Sequence, residues 1–290
     1  MLSVPPERSL PARTLEVLKL VDRVAREMEV DYFVTGAMAR DILLHGVFGI
    51  DPGRGTLDVD LAVAVQDWWQ FELVKTRLVA TNAFTAEERT PHRLYHRGDA
   101  GKKAYPLDLL PFGGVEQPPN KIVWPPELSI VMNVTGYREA LAAAQDVEVA
   151  TAFVVPVVSL PGLAILKLLA WADRGIENPK DAVDLVTLLR WYGAAGNEDR
   201  LFGEEMSLLE SLGYNMDLAG PQLLGKDAAR IITTETRNQV LALLDDSVTL
   251  ERLTRDMARA CRGTDDPIGQ AEAFIAQFKA GCRWLRHSSC

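Results

Sequence analysis

The run TLDVDLAVAV at residues 56–65 places two aspartates at alternate positions inside an otherwise apolar strand. Side chains alternate across a strand, so Asp58 and Asp60 share one face, their roots about 6–7 Å apart, while Leu57, Val59 and Leu61 point to the other. Two carboxylates that close repel each other. Burying them uncompensated costs several kcal/mol and raises one pKa until that group holds its proton. A divalent cation removes the conflict: Mg²⁺ takes carboxylate oxygens together with substrate phosphates and keeps both groups ionised. By itself the pattern also describes a solvated edge strand, so the neighbouring residues decide.

The chain before this run has its own pattern. Leu15, Leu18, Val21, Val24 and Ala25 recur at three- and four-residue spacings and predict an amphipathic helix over 14–29. Tyr32–Thr35 reads as a strand ending at Gly36, with a helix over 37–45. Strand, glycine turn and helix thus follow within fifteen residues. After the loop GIDPGRG and the strand 57–65, Asp67 is placed to cap a helix running to about Leu78. Alternation in HRLYH (92–96) and AYPLDLLPF (104–112) predicts two further strands, 118–126 reads as loop, a short helix follows over 137–144, and strands return over 147–158. Ser159, with Pro161 behind it, is positioned to cap a helix over 160–174. From there helices are expected over 180–192, 204–212, 226–232, 234–245, 247–261 and 268–286. The expectation is an α+β protein with a mixed α/β domain over 1–158 and a helical C-terminal domain over 159–290.

Three features strengthen the aspartate pair. Gly36 between a strand and a helix lets the backbone approach a phosphate, with the N–H groups of Ala37 and Met38 at a positive helix end. Asp108 stands among apolar residues in YPLDLLPF and is positioned to add a third carboxylate. A glycine-rich loop joins the two halves.

Together VTGAMARD, TLDVDL and LDLL resemble the minimal nucleotidyltransferase domain of the polymerase-β-like superfamily. More narrowly, TGAMARD, PGRGTLDVDLAV, LPGLAILKLLAWADR and PKDAVDLVTLL resemble the AbiEii/AbiGii toxin-type nucleotidyltransferases, over roughly residues 30–192. The resemblance implies a mixed sheet flanked by helices, an NTP held at the Gly36 turn, and Mg²⁺ on Asp58 and Asp60 with Asp108 as third carboxylate. Lys167 and Asp184 fall where that group carries its later lysine and aspartate. The implied reaction is in-line attack of an acceptor hydroxyl on the α-phosphate of the NTP with release of pyrophosphate, Asp108 serving as ligand of a second ion or as general base. It also implies tRNA or another RNA as acceptor and an antitoxin protein as partner. The sequence departs from the pattern at Ala37, where the superfamily has Gly or Ser; Thr35 is the nearest replacement hydroxyl. Transfer to a small hydroxylated compound, and a non-catalytic domain that binds nucleotide or a partner, are the alternative readings.

The other candidates divide between function and packing. Arg40, next to Asp41, either reaches a phosphate or forms a surface pair. Lys167, bracketed by leucines, must snorkel or serve, and is read as a cation held toward the triphosphate in a cleft between the domains. Asp184 either orients Lys167 or, with Arg174, Lys180 and Asp181, joins two helices by an exposed ion pair. Trp68 and Trp69 read as packing, and His45, His92, His96 and His287 show no metal-ligand spacing. Cys261, Cys282 and Cys290 suggest neither disulfides nor a zinc knuckle. A net charge of −9 argues against a global nucleic-acid-coating field while leaving a local basic cleft open. The start MLSVPPERSLPART lacks a signal-peptide layout and no run reaches membrane-span length, so a cytoplasmic location without membrane association is expected.

Overall fold

A computed structural model describes residues 1–53, 55–56, 58–87, 90–97, 104–126, 128, 130–174, 179–261 and 263–284. The chain divides into two compact units, Met1–Ser159 and Leu160–Cys290.

In the first unit the edge strand β1 (Leu2–Ser3) precedes α1 (Ala12–Glu27), β2 (Tyr32–Thr35) and α2 (Gly36–Arg40). Next come β3 (Val59–Val65), α3 (Trp68–Ala80), β4 (Phe84–Ala86), β5 (Arg93–His96), β6 (Tyr105–Gly113), β7 (Lys121–Val123) and β8 (Val131–Asn133). The unit closes with α4 (Tyr137–Ala142), β9 (Gln145–Ala150) and β10 (Phe153–Val157). One mixed sheet has the order β1-β9-β10-β2-β3-β6-β5-β4. β2 pairs antiparallel with β3, β3 parallel with β6, and β6 antiparallel with β5. The expected mixed sheet flanked by helices is therefore present.

The two faces of the central strands carry different chemistry. Val59, Leu61 and Val63 of β3, with Leu107 and Leu109 of β6, are fully buried. α1 buries Val17, Leu18 and Val21, the stripe that its spacing predicts, and α3 buries Phe71, Val74 and Leu78. α3 starts as expected, the Asp67 carboxylate accepting from the Gln70 N–H at 2.8 Å. On the opposite face, beyond the aspartates, Phe33, Phe112 and Tyr137 form a ring cluster with centroids 5.7–6.2 Å apart.

Three local readings are corrected. The strand expected from 57 begins at Val59, so Asp58 stands just ahead of the ladder, and Leu57 lies outside the described residues. The helix expected over 37–45 is α2 followed by a wider, π-helical stretch, Asp41–Val47. There Arg8 donates to the carbonyls of Gly46 and Val47 at 2.9 and 3.1 Å, and Gly46 sits so close to Val4 that a Cβ would approach it to 3.0 Å. The segment read as loop over 118–126 contains β7, because the β-branched residues between its prolines pair with β8 and bury Ile122.

The second unit is helical: α5 (Leu160–Arg174), α6 (Lys180–Trp191), α7 (Glu198–Leu201), α8 (Met206–Ser211), α9 (Met216–Ile231), α10 (Thr234–Asp245), α11 (Ser247–Ala258) and α12 (Pro267–Cys282). The expected helix 226–232 is the end of the longer α9, whose Gly220, Pro221 and Gly225 read as breakers in sequence. They serve packing instead. A Cβ on Gly225 would lie 2.1 Å from the Phe278 carbonyl of α12, and one on Gly281 equally near the Gln222 carbonyl of α9, so only glycine lets these backbones come together. Gly225→Ala is expected to force α9 and α12 apart and cost about 1–3 kcal/mol, read as a lowered midpoint in chemical denaturation.

Candidate active site

The paired strands set four polar side chains in one lateral row. Thr35 of β2 is opposite Asp60 of β3, Asp60 opposite Asp108 of β6, and Asp108 opposite Arg93 of β5. Side chains at facing positions of neighbouring strands share a face. Asp58, Asp60 and Asp108 each bring a carboxylate oxygen within 4.8 Å of the others. Asp58 and Asp60 are half-buried and Asp108 is buried. Three hard oxygen donors converging in this way fit a divalent cation such as Mg²⁺.

Arg93 was not among the residues singled out from sequence. Its Nε donates to Asp108 Oδ1 at 2.7 Å and its Nη2 to Oδ2 at 2.6 Å, a two-pronged fork. The hydrogen bond to Asp108 drives the Arg93 guanidinium further above its ordinary pKa against the opposing effect of burial. The signal available in sequence was slight: an arginine in phase with the outward residues of HRLYH, on a strand whose partner is visible only in the sheet.

Gly36 stands behind Asp60. Its φ of +64° lies in the left-handed region, and a Cβ there would fall 2.0 Å from Asp60 Oδ2. Glycine is thus required twice, by backbone conformation and by the carboxylate resting on it. Ala37 is half-buried at the start of α2, where the first N–H groups have no partner within the helix. Thr35 is buried and its hydroxyl does not cap α2.

Arg40 does form a pair with Asp41, but not on the surface. With 1% of its side chain exposed, it donates to Asp41 Oδ1 from Nε at 2.9 Å and from Nη2 at 2.5 Å. Asp41 Oδ2 accepts from the Thr56 N–H at 3.0 Å, and the Thr56 hydroxyl donates to Asp58 Oδ1. Arg40 therefore supports Asp58 through two intermediates, a placement that sequence spacing does not reveal.

Lys167 and Asp184 come together in the second unit. Lys167 Nζ lies 2.7 Å from Asp184 Oδ2 and 2.9 Å from Asp181 Oδ1, and Arg174 Nε lies 3.0 Å from Asp181 Oδ2. All three of Lys167, Asp181 and Asp184 are buried, so of the two readings the exposed helix face does not hold, and Asp184 stands against Lys167. Burial alone would lower the pKa of Lys167, but the charges of Asp184 and Asp181 outweigh it and raise the value. Burial alone would push the Asp181 carboxyl up, but Lys167 and Arg174 hold it below its ordinary 3.8.

The remaining candidates divide clearly. Trp68 packs against Phe71 and Trp124, whereas Trp69 is 72% exposed and does not pack as expected. His92 lies against Trp124, and buried His96 accepts from Arg13, its pKa lowered chiefly by burial. Cys261 and Cys282 are buried free thiols; His287 and Cys290 lie outside the described residues. Among the described residues no helix is long and apolar enough to cross a membrane.

The model of the family described as nucleotidyl transferase AbiEii toxin, type IV toxin–antitoxin system, matches residues 26–271. The chain belongs to the AbiEii family. It is a nucleotidyltransferase of that toxin–antitoxin family, as the motifs around Gly36, Asp58 and Asp60 lead one to expect. Among solved structures, an antigenic nucleotidyltransferase-like protein from Paracoccidioides brasiliensis is similar at 16% identity with a TM-score of 0.42, over 70% of this chain and 93% of its own. No curated protein matches the chain.

The buried charge cluster of this AbiEii chain makes a stability prediction. Because Asp181 titrates lower in the folded than in the unfolded protein, its contribution is present above the unfolded value and is lost as pH falls through the folded one. Urea midpoints are expected to drop on acidification below pH 3.8. Lys167→Ala, which leaves two buried carboxylates without that cation, should cost about 3–5 kcal/mol near neutral pH.

Proposed function

We propose that this chain moves an NMP from an NTP to a hydroxyl of an RNA acceptor such as tRNA, with Mg²⁺ held by Asp58, Asp60 and Asp108, and that an antitoxin protein restrains it. The observation that carries this reading is the convergence of three carboxylates, two from the start of β3 and one from β6, beside a glycine turn, in a member of a nucleotidyl transferase toxin family. The choice of RNA rests on the family resemblance, and the antitoxin on the family's type IV toxin–antitoxin description.

In this reading Asp58 and Asp60 form the cation platform, Asp58 being oriented by the Thr56 hydroxyl. Bound Mg²⁺ supplies charge neutralisation to the phosphate oxygens. Gly36 lets a triphosphate lie against the backbone, where the N–H groups of Ala37 and Met38 are donors; with no hydroxyl at Ala37, the main chain carries that contact. The acceptor oxygen forms a bond to the α-phosphorus as the bond to the pyrophosphate oxygen breaks. Its proton passes to a carboxylate or to solvent, with Asp108 as the candidate base or as the third metal ligand.

The test is incubation of the full chain with each α-labelled NTP, Mg²⁺ and total RNA. Label is expected on RNA, and Asp58→Ala should reduce transfer on the order of a thousandfold or more, since several kcal/mol of charge stabilisation disappear. Gly36→Ala, which displaces Asp60, should reduce it on the order of a hundredfold. Label on small metabolites with none on RNA would replace the acceptor; no product in either pool, with unchanged nucleotide binding in Asp58→Ala, would sink the reading.

A further inference from the structure

We propose that the face of β5 on which Tyr95 stands between Arg93 and Arg97 is the acceptor platform of this enzyme, taking the single-stranded end of an RNA with a base stacked on Tyr95 and a phosphate on Arg97. This rests on the RNA-acceptor reading above and adds to it the surface that presents the hydroxyl.

The placement follows from the sheet. Alternate residues of a strand share a face, so Tyr95 and Arg97 lie on the side of Arg93 and Asp108, while Leu94 and His96 between them are buried on the other. Arg97 keeps this phase because its N–H still bonds the Ala83 carbonyl at 2.8 Å. The Tyr95 hydroxyl accepts from Arg93, so the ring is held beside the guanidinium that clasps Asp108. Its facing residues are compact, Pro106 of β6 and Thr85 of β4, and the half-buried ring stands next to exposed Thr85 and Arg97. An aromatic ring beside guanidinium groups takes an unpaired base and its phosphate whatever the base. Arg93 is neutralised by Asp108, so Arg97 is the residue that meets the phosphate.

Distance decides which substrate lies here. With strands about 4.8 Å apart, β5 is about 14 Å from β2, where the Gly36 turn would hold the triphosphate. In-line attack needs the entering hydroxyl on the far side of the α-phosphorus from the pyrophosphate. A triphosphate lying toward β2 therefore leaves the β5 side to the acceptor. Tyr95 is diagonal to Asp108 across the β5–β6 ladder. Such neighbours are about 7–8 Å apart, so a nucleoside stacked on the ring has its sugar within reach of that carboxylate.

Two measurements on the full chain test this: KM for total tRNA and for NTP in the labelled-transfer assay, and the affinity of a dye-labelled oligouridylate read by fluorescence anisotropy. Tyr95→Ala is expected to raise the tRNA KM and weaken oligonucleotide binding on the order of tenfold, with the NTP KM unchanged. Tyr95→Phe, which keeps the ring, should return both toward the wild-type values. Arg97→Gln should weaken oligonucleotide binding and lower the slope of log affinity against log salt by about 0.7, the loss of one phosphate contact on a single strand. Circular dichroism checks folding, and Arg97→Gln, at an exposed position, carries the test should Tyr95→Ala not fold. Label on RNA, with wild-type tRNA KM and oligonucleotide affinity in both variants, would overturn the platform while leaving the transferase reading intact. So would a raised NTP KM in place of a raised tRNA KM. Absence of label on RNA from the wild type would overturn the RNA-acceptor reading and the platform with it.

Discussion

Three carboxylates within reach of one another are an electrostatic liability, and the first unit is organised around containing it. Parallel pairing of β3 with β6 brings Asp60 beside Asp108, and antiparallel pairing of β6 with β5 brings Arg93 beside Asp108. The same ladder therefore creates the repulsion and supplies a compensating charge. A sheet can do this because facing residues project to the same side at close spacing whatever their separation along the chain. The other side of the same strands is largely apolar, with Tyr105 and His96 bonded to Thr14 and Arg13 of α1, which fixes the register: a slip by one residue would turn the aspartates into the core.

Around that row the chain has a supporting layer. Gly36 is needed because the Asp60 carboxylate occupies the space a side chain would fill. Arg40 holds Asp41, Asp41 holds the backbone of Thr56, and Thr56 holds Asp58. A buried arginine bound to a neighbouring carboxylate thus anchors the chain of contacts that orients Asp58.

The helical unit solves a different problem with similar means. Lys167 lies on an apolar helix and would be costly to bury alone, yet two aspartates from α6 surround it and Arg174 balances the second of them. The net result is a cation held firmly charged, with pKa directions set by partners rather than by burial. Close packing of α9 on α12 through Gly225 and Gly281 shows why residues that read as helix breakers persist inside a long helix: the tertiary contact outweighs the local propensity.

The periodicities of α1 and β3, the Asp67 cap and the alternation of β6 were legible in the sequence because each follows from spacing within a few residues. So was the set Gly36, Asp58, Asp60 and Asp108, and with it the family resemblance, because strand–turn–helix chemistry is written locally. What lay beyond local spacing was decided by strand order and helix packing. Arg93 joins the site only through the β5–β6 ladder, Arg40 reaches Asp58 only through Asp41 and Thr56, and Asp181 becomes a partner of Lys167 only because α5 and α6 face each other. Sequence determines which face of an element is apolar and which residues can bear charge. Which charges meet is determined by long-range pairing, since contact between distant segments depends on the whole packed arrangement and on no single stretch of it.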